Sequence, residues 1–161
     1  MLGAYAVGKT SLVRQYVYSI FNGKYQTTIG ARIDKKRLEI DNQAVDLILW
    51  DLAGEEESIN VRSSYLRGSA AAVLVADGTR GETLNVVFDL KRKLNAEVGA
   101  VPVVLLVNKS DLAASWDIDR GRLNELKKDD WTVFETSARD GTNVNRAYQA
   151  LALKLYRGAF S

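Results

Sequence analysis

The sequence predicts a single α/β domain: a mostly parallel six-stranded sheet with one antiparallel strand and helices on both faces. Three observations predict it. Strand-like apolar runs alternate with helical patterns through the second half, as crossover connections require. One of those runs, Val103 to Val107, is almost wholly Val and Leu, the composition of a parallel strand covered on both sides. A glycine-bracketed loop, Gly3-Ala4-Tyr5-Ala6-Val7-Gly8-Lys9-Thr10-Ser11, stands near the start of the chain, where a first strand would turn into a first helix.

Taken in order, Met1 and Leu2 read as the end of that first strand, whose remaining residues are absent from the sequence, so the strand is expected to be truncated. Residues Thr10 to Ile20 form a helix, with Leu12, Val13, Tyr16, Val17 and Ile20 on one stripe. After a polar loop, Phe21 to Thr28, the segments Ala31 to Ile40 and Ala44 to Trp50 read as a hairpin about the turn dipeptide Asp41-Asn42. A short helix is expected within the polar stretch Glu55 to Gly68. Ala70 to Ala76 is an apolar strand, and Leu84, Val87, Phe88 and Leu94 follow at helical spacing. After the Val103 strand come a weaker helix, Ile118 to Lys127, and a last short strand, Trp131 to Glu135. Val144, Ala147, Tyr148, Leu151 and Leu155 mark a closing helix with a cap near Gly158. No linker, internal repeat or low-complexity tract divides the chain.

Composition narrows the chemistry. At 161 residues the chain can bury a full hydrophobic core. A net charge of +2 is too small to argue for a nucleic-acid footprint, so none is expected. There is no cysteine, which excludes disulfides and thiolate chemistry and fits a reducing, cytoplasmic setting. No apolar run approaches a membrane span. Histidine is absent too, so proton transfer must use other groups or the substrate itself.

Four motifs carry chemistry. The opening loop reads G-x-x-x-x-G-K-T, a phosphate cradle in which backbone N–H groups wrap an anion and glycines allow the close approach. At average residue usage this pattern arises by chance in about half a percent of chains of this length. Lys9 is placed to reach the β- and γ-phosphates, Thr10 to bind Mg²⁺, and the following helix to aim its N-terminal dipole at the anion. The second motif, Asp51-Leu52-Ala53-Gly54, follows a buried-strand pattern: Asp51 can hold a water on the metal, and Gly54 lets an N–H approach the γ-phosphate. An ordinary turn has the same pattern, so position gives this motif its weight.

The third, Asn108-Lys109-Ser110-Asp111, selects the base. A carboxylate at Asp111 accepts hydrogen bonds from N1–H and the exocyclic amine of guanine, a donor pair that adenine lacks. The fourth, Thr136-Ser137-Ala138-Arg139, could bring the Ala138 N–H to guanine O6, and its place in the order is what distinguishes it.

In this order and spacing the motifs resemble those of the Ras superfamily of small GTPases, nearest its Rab-like branch. Thr27-Thr28-Ile29-Gly30 resembles the P-T-I-G of the first switch, Trp50-Asp51-Leu52-Ala53-Gly54 resembles W-D-T-A-G, and Ser63-Ser64-Tyr65-Leu66-Arg67-Gly68 resembles S-S-Y-Y-R-G. The resemblance covers essentially all of residues 1–161 and implies one phosphate-loop NTPase domain of three layers. It implies a switch that binds Mg²⁺ with GTP or GDP and hydrolyses GTP, signalling through segments around 21–32 and 53–68. It assigns Thr28 to Mg²⁺ and the γ-phosphate beside Thr10 and Asp51, Tyr25 to a place over the phosphates, and Phe21 to the guanine opposite the stem of Lys109. Without the resemblance, Phe21 reads equally well as a core aromatic at a helix end. The phosphate and base sites would comprise Gly3, Ala6, Val7, Gly8, Lys9, Thr10, Ser11, Gly54, Asn108, Lys109, Asp111, Ser137, Ala138 and Arg139.

Two departures bear on turnover. Glu55 stands where the family usually has a glutamine that orients the attacking water. An ionised glutamate only accepts hydrogen bonds and brings negative charge towards phosphate, so hydrolysis by Lys9, Thr28, Gly54 and Glu55 is expected to be slow. Tyr5 occupies a loop position that is often small. Its phenol either crowds the water and any entering arginine or points outward onto a switch residue. An alternative function is a nucleotide-binding interaction module, locked in one state and without useful turnover. With no cysteine, the sequence offers no site for a prenyl anchor. Exchange factors, activating proteins and effectors are expected at the switches. The basic run Lys35-Lys36-Arg37 is either a contact for them or a solvated strand edge.

Overall fold

The Asp41-Asn42 turn is a useful entry to the architecture, because both residues are left-handed, with φ of 51° and 62°. That pairing is the two-residue type I′ turn, whose twist matches a right-twisted hairpin and which Asp and Asn tolerate. In the computed structural model, which describes residues 1–24, 26–53 and 62–159, it joins β2 (Ala31–Ile40) to β3 (Gln43–Leu52). The register runs from Ala31 opposite Leu52 to Ile40 opposite Gln43. β3 is therefore longer than the expected Ala44–Trp50 segment.

The remaining described elements are β1 (Leu2–Gly3), α1 (Lys9–Tyr18), α2 (Ser63–Leu66), β4 (Ala72–Asp77), α3 (Thr83–Val98), β5 (Val103–Asn108), a 3₁₀ segment (Ser110–Ser115), α4 (Arg120–Lys128), β6 (Thr132–Glu135) and α5 (Val144–Ala159). β1, β4, β5 and β6 form a parallel sheet in that order, with Leu2 opposite Leu74, Ala72 opposite Val103 and Val104 opposite Thr132. The α/β class and the mostly parallel sheet are as expected. The six strands divide into four plus a separate hairpin. β1 has two residues, and across to β3 the Met1 amine donates to the Trp50 carbonyl at 2.7 Å.

Two-residue periodicity splits the core between the sheet faces. Leu74, Ala76, Leu105 and Val107 pack beneath Leu84, Val87, Leu90 and Leu94 of α3 and Leu123 and Leu126 of α4. Val73, Val75, Val104 and Leu106 face Leu12, Val13 and Tyr16 of α1 and Val144, Ala147, Tyr148 and Leu151 of α5. Each of these buried Leu and Val side chains contributes about 1.5–3 kcal/mol relative to exposure. The Tyr16 and Tyr148 rings stack at 4.0 Å, joining α1 to α5.

Helix ends moved for local reasons. α1 stops at Tyr18 because Ser19 is left-handed at φ 55° and returns its N–H to Gln15, so Ile20 is exposed rather than on the buried stripe. α4 begins at Arg120, where the Asp119 carboxylate accepts the Gly121 N–H at 2.9 Å, leaving Ile118 buried ahead of the helix. α5 continues through Gly158, which is not a cap. The Lys35-Lys36-Arg37 run is largely satisfied within the domain: Lys35 and Arg37 pair with Asp46, and Lys36 donates to the Val17 carbonyl. These bonds support the solvated-edge alternative.

Candidate functional site

The phosphate loop leaves β1 at Gly3, where a Cβ would sit 2.4 Å from the Val75 carbonyl oxygen of the neighbouring strand. At its far end Gly8 has φ 101°, and a Cβ there would lie 2.3 Å from Asn108 Nδ2. Glycine at both positions is a steric requirement. Between them Ala6 is also left-handed, at φ 58°. Gly8 is the residue before α1, whose first turn carries no side-chain cap and no acidic residue, so its amides are available to an anion. Lys9 is buried and its Nζ donates to the Gly3 and Ala4 carbonyls, both at 2.9 Å. Burial lowers its pKa to about 8.

Next to Lys9 three oxygen donors converge. Thr10 Oγ1 donates to Asp51 Oδ2 at 2.6 Å and lies 2.9 Å from Thr28 Oγ1. Asp51 closes the apolar end of β3 and is fully buried, and burial pushes its carboxyl pKa up. Its other oxygen, Oδ1, has no hydrogen-bond partner among the described residues. An orphaned carboxylate oxygen beside two hydroxyls fits a hard divalent cation that completes its shell with phosphate oxygens and water. These residues therefore fit Mg²⁺.

The base side is built from the ends of β5 and β6. Asn108 is buried, and its Nδ2 donates to the Val7 carbonyl at 3.0 Å while its Oδ1 accepts from the Ala138 N–H at 3.1 Å. Thr136 Oγ1 lies 3.4 Å from the same oxygen. Asn108 thus clamps the phosphate loop to the β6–α5 turn and is a brace behind the ligand position. The Ala138 N–H, expected to face guanine O6, is engaged by this brace. Asp111 Oδ1 accepts from the buried Ser137 hydroxyl at 2.9 Å, and its Oδ2 lies 3.9 Å from Arg139. Lys109 is left-handed at φ 69°, and its Nζ pairs with Asp77 Oδ2 at 2.6 Å.

These groups open onto one cavity of about 640 Å³, a volume suited to a nucleotide-sized ligand. Ala6, Gly8, Lys9, Thr10, Ser11, Phe21, Thr28, Asn108, Lys109, Asp111, Ala138 and Arg139 line it, so most of the expected residues are brought together. Gly3, Val7 and Ser137 act from behind, through Lys9, Asn108 and Asp111 respectively. Asp51 acts from behind as well, through Thr10. Tyr25, Gly54, Glu55 and the chain end at Phe160-Ser161 lie outside the described residues. Tyr5 is among the residues lining the cavity.

Sequence reasoning missed Arg14, Gln26 and Leu112 in the wall, and Asp77 and Arg80 behind it. Only Asp77 left a signal: like Asp51, it is an aspartate ending an apolar strand.

The sequence pattern of the Ras family matches residues 1–157. The chain is 36% identical over 163 residues to Ras-related protein Rab-32B of Dictyostelium discoideum, covering 96% of this chain and 62% of that protein. It is 36% identical over 165 residues to Ras-related protein Rab-7L1 of Rattus norvegicus, with coverage of 96% and 79%. Against Ras-related protein Rab-7b of Mus musculus it is 35% identical over 161 residues, with coverage of 94% and 78%. The chain thus spans less than two thirds of the length of the Dictyostelium relative.

Proposed function

The chain belongs to the Ras family, on its Rab-like side, and we propose that it is a guanine-nucleotide switch that binds GTP and GDP with Mg²⁺ and hydrolyses GTP slowly. One observation carries the proposal. The phosphate loop, the Thr10 and Thr28 hydroxyls and Asp111 line a single cavity of nucleotide size, with the buried Asp51 carboxylate bonded to Thr10 behind it.

Each group then has a task. Lys9 exchanges the Gly3 and Ala4 carbonyls for β- and γ-phosphate oxygens, and the first-turn amides of α1 add their dipoles. Thr10, Thr28 and Asp51 would hold Mg²⁺, which would supply positive charge against the negative charge that develops on the phosphates. Thr28, on the segment around 21–32, couples that region to the γ-phosphate, as Gly54 does for the segment around 53–68, so loss of phosphate releases both. Ser137 fixes the orientation of Asp111 towards guanine N1–H and the exocyclic amine. For Ala138 to reach O6, its N–H must be shared with or released by Asn108. Water attacks the γ-phosphate, and GDP and inorganic phosphate leave; a glutamate at position 55 positions that water poorly.

The second reading, a binding module without useful turnover, draws on Tyr5, which is among the residues lining the cavity. Effectors and regulators at the switches, and a cytoplasmic location, belong to the same proposal. No helix among the described residues is long and apolar enough to cross a membrane.

The test is nucleotide affinity followed by single-turnover hydrolysis on purified protein. GTP and GDP should bind in Mg²⁺ far more tightly than ATP, and Asp111→Ala should weaken GTP by about a hundredfold. Equal affinity for ATP would defeat the guanine assignment. Glu55→Gln should hydrolyse GTP faster than wild type, and equal rates would remove Glu55 as the cause of slow turnover.

A further inference from the structure

Arg80 lies in the loop joining β4 to α3, outside every motif of the nucleotide site, yet its guanidinium reaches the phosphate loop. One terminal nitrogen donates to the Tyr5 carbonyl at 2.6 Å, and Nε pairs with Asp77 Oδ2 at 3.1 Å. That carboxylate is completely buried, and its Oδ2 also holds Lys109 Nζ at 2.6 Å. Oδ1 is taken by the Thr79 N–H and hydroxyl, at 2.9 and 2.7 Å. The loop is itself pinned: the Arg80 N–H donates to the Asp77 carbonyl, the Thr83 hydroxyl to the Arg80 carbonyl, and the Gly78 N–H to the Asn108 carbonyl.

We propose that Arg80 is a positioning residue of the nucleotide site: a strut that joins the phosphate loop at Tyr5 to the base segment at Lys109 through the buried Asp77 carboxylate, and sets how long a guanine nucleotide stays bound. The inference rests on the guanine-nucleotide reading. The loop around the left-handed Ala6 shapes the phosphate cradle, and a Tyr5 carbonyl held by a charged donor resists rotation of that loop. The same carboxylate fixes the lysine whose stem covers the base, so loosening one end frees the other. The guanidinium, with a side chain 37% exposed, also adds positive charge beside a polyanion site.

The experiment loads wild type, Arg80→Ala and Arg80→Lys with a fluorescent GDP analogue and chases with excess GDP, in Mg²⁺ and again in EDTA. Release from Arg80→Ala should be about tenfold faster in both buffers, because the strut involves no metal. Arg80→Lys should recover part of the loss, since lysine keeps the charge but not the two-pronged geometry. Release from Arg80→Ala within twofold of wild type overturns the proposal. Faster release with a much lower melting temperature and no recovery in Arg80→Lys marks general loop damage and overturns it equally. If Arg80→Ala does not fold, Arg80→Lys alone should still release about threefold faster, and wild-type release there overturns the proposal. Wild-type protein that binds no GDP defeats the nucleotide reading and this inference together, whereas binding with unchanged release defeats the strut alone.

Discussion

Asp77 shows how a single side chain can be decisive without belonging to a motif. Burial alone would push its carboxyl up, but bonds from Lys109 and Thr79 hold it below its ordinary value of 3.8. The folded state therefore binds this proton less readily than the unfolded chain, so the stability it contributes is present above that value and is lost as pH falls through the folded one. Asp77→Asn should cost about 1–3 kcal/mol near neutrality by removing the buried charge that the part-exposed Lys109 and Arg80 pair with. In urea melts at stepped pH, the gap from wild type should close below about pH 4; a gap independent of pH would show that charge is not the cause. The residues of the phosphate, metal and base motifs were legible because chemistry fixes their type and spacing. Asp77 and Arg80 were not, because their partners are Lys109 and Tyr5, and only the fold brings those positions together.

At the scale of elements, packing decided what periodicity left open. The type I′ hairpin was legible from Asp41-Asn42, and β4 and β5 from their apolar runs. The end of α1 was not, since a serine rather than a glycine takes the left-handed position. The 3₁₀ segment at Ser110–Ser115 has no buried stripe to announce it. The loop after β4 is fitted just as closely: a Cβ on Gly78 would lie 2.1 Å from the Trp116 ring, whose backbone neighbours Asp117 and Ile118 donate to the Gly78 carbonyl. Gly78→Ala should displace that indole, lower stability by about 1–3 kcal/mol and shift tryptophan emission. An unchanged melting temperature would show that the loop can relax around the added methyl.

Across the whole molecule, the site sits at the carboxyl ends of the parallel strands, and every wall comes from a different segment. A ligand that bridges those segments should stabilise the domain by mass action. At a hundred times its dissociation constant, GDP should add about 2.7 kcal/mol, raising the melting temperature by about 5–10 °C, and ATP at the same concentration should not. Chelating Mg²⁺ should reduce the GTP shift, because the buried Asp51 Oδ1 then has no cation to neutralise it. The α/β class was legible in the sequence, but the division into a four-stranded sheet and a hairpin was not.

That division also has a consequence in time. The hairpin joins residues on either side of a two-residue turn, a contact that closes in about 1–10 μs. β1 must find β4 across about seventy residues, with Leu2 meeting Leu74, and such distant parallel pairings form slowly. The hairpin can therefore assemble early, while the nucleotide cavity exists only after β5 and β6 have docked and Asn108 has closed its brace. Until then the apolar edges of β4 and β5 lack the strands that pair with them. On the proposed guanine-nucleotide reading, a ligand that binds only the assembled cavity should raise the yield of folded protein during synthesis.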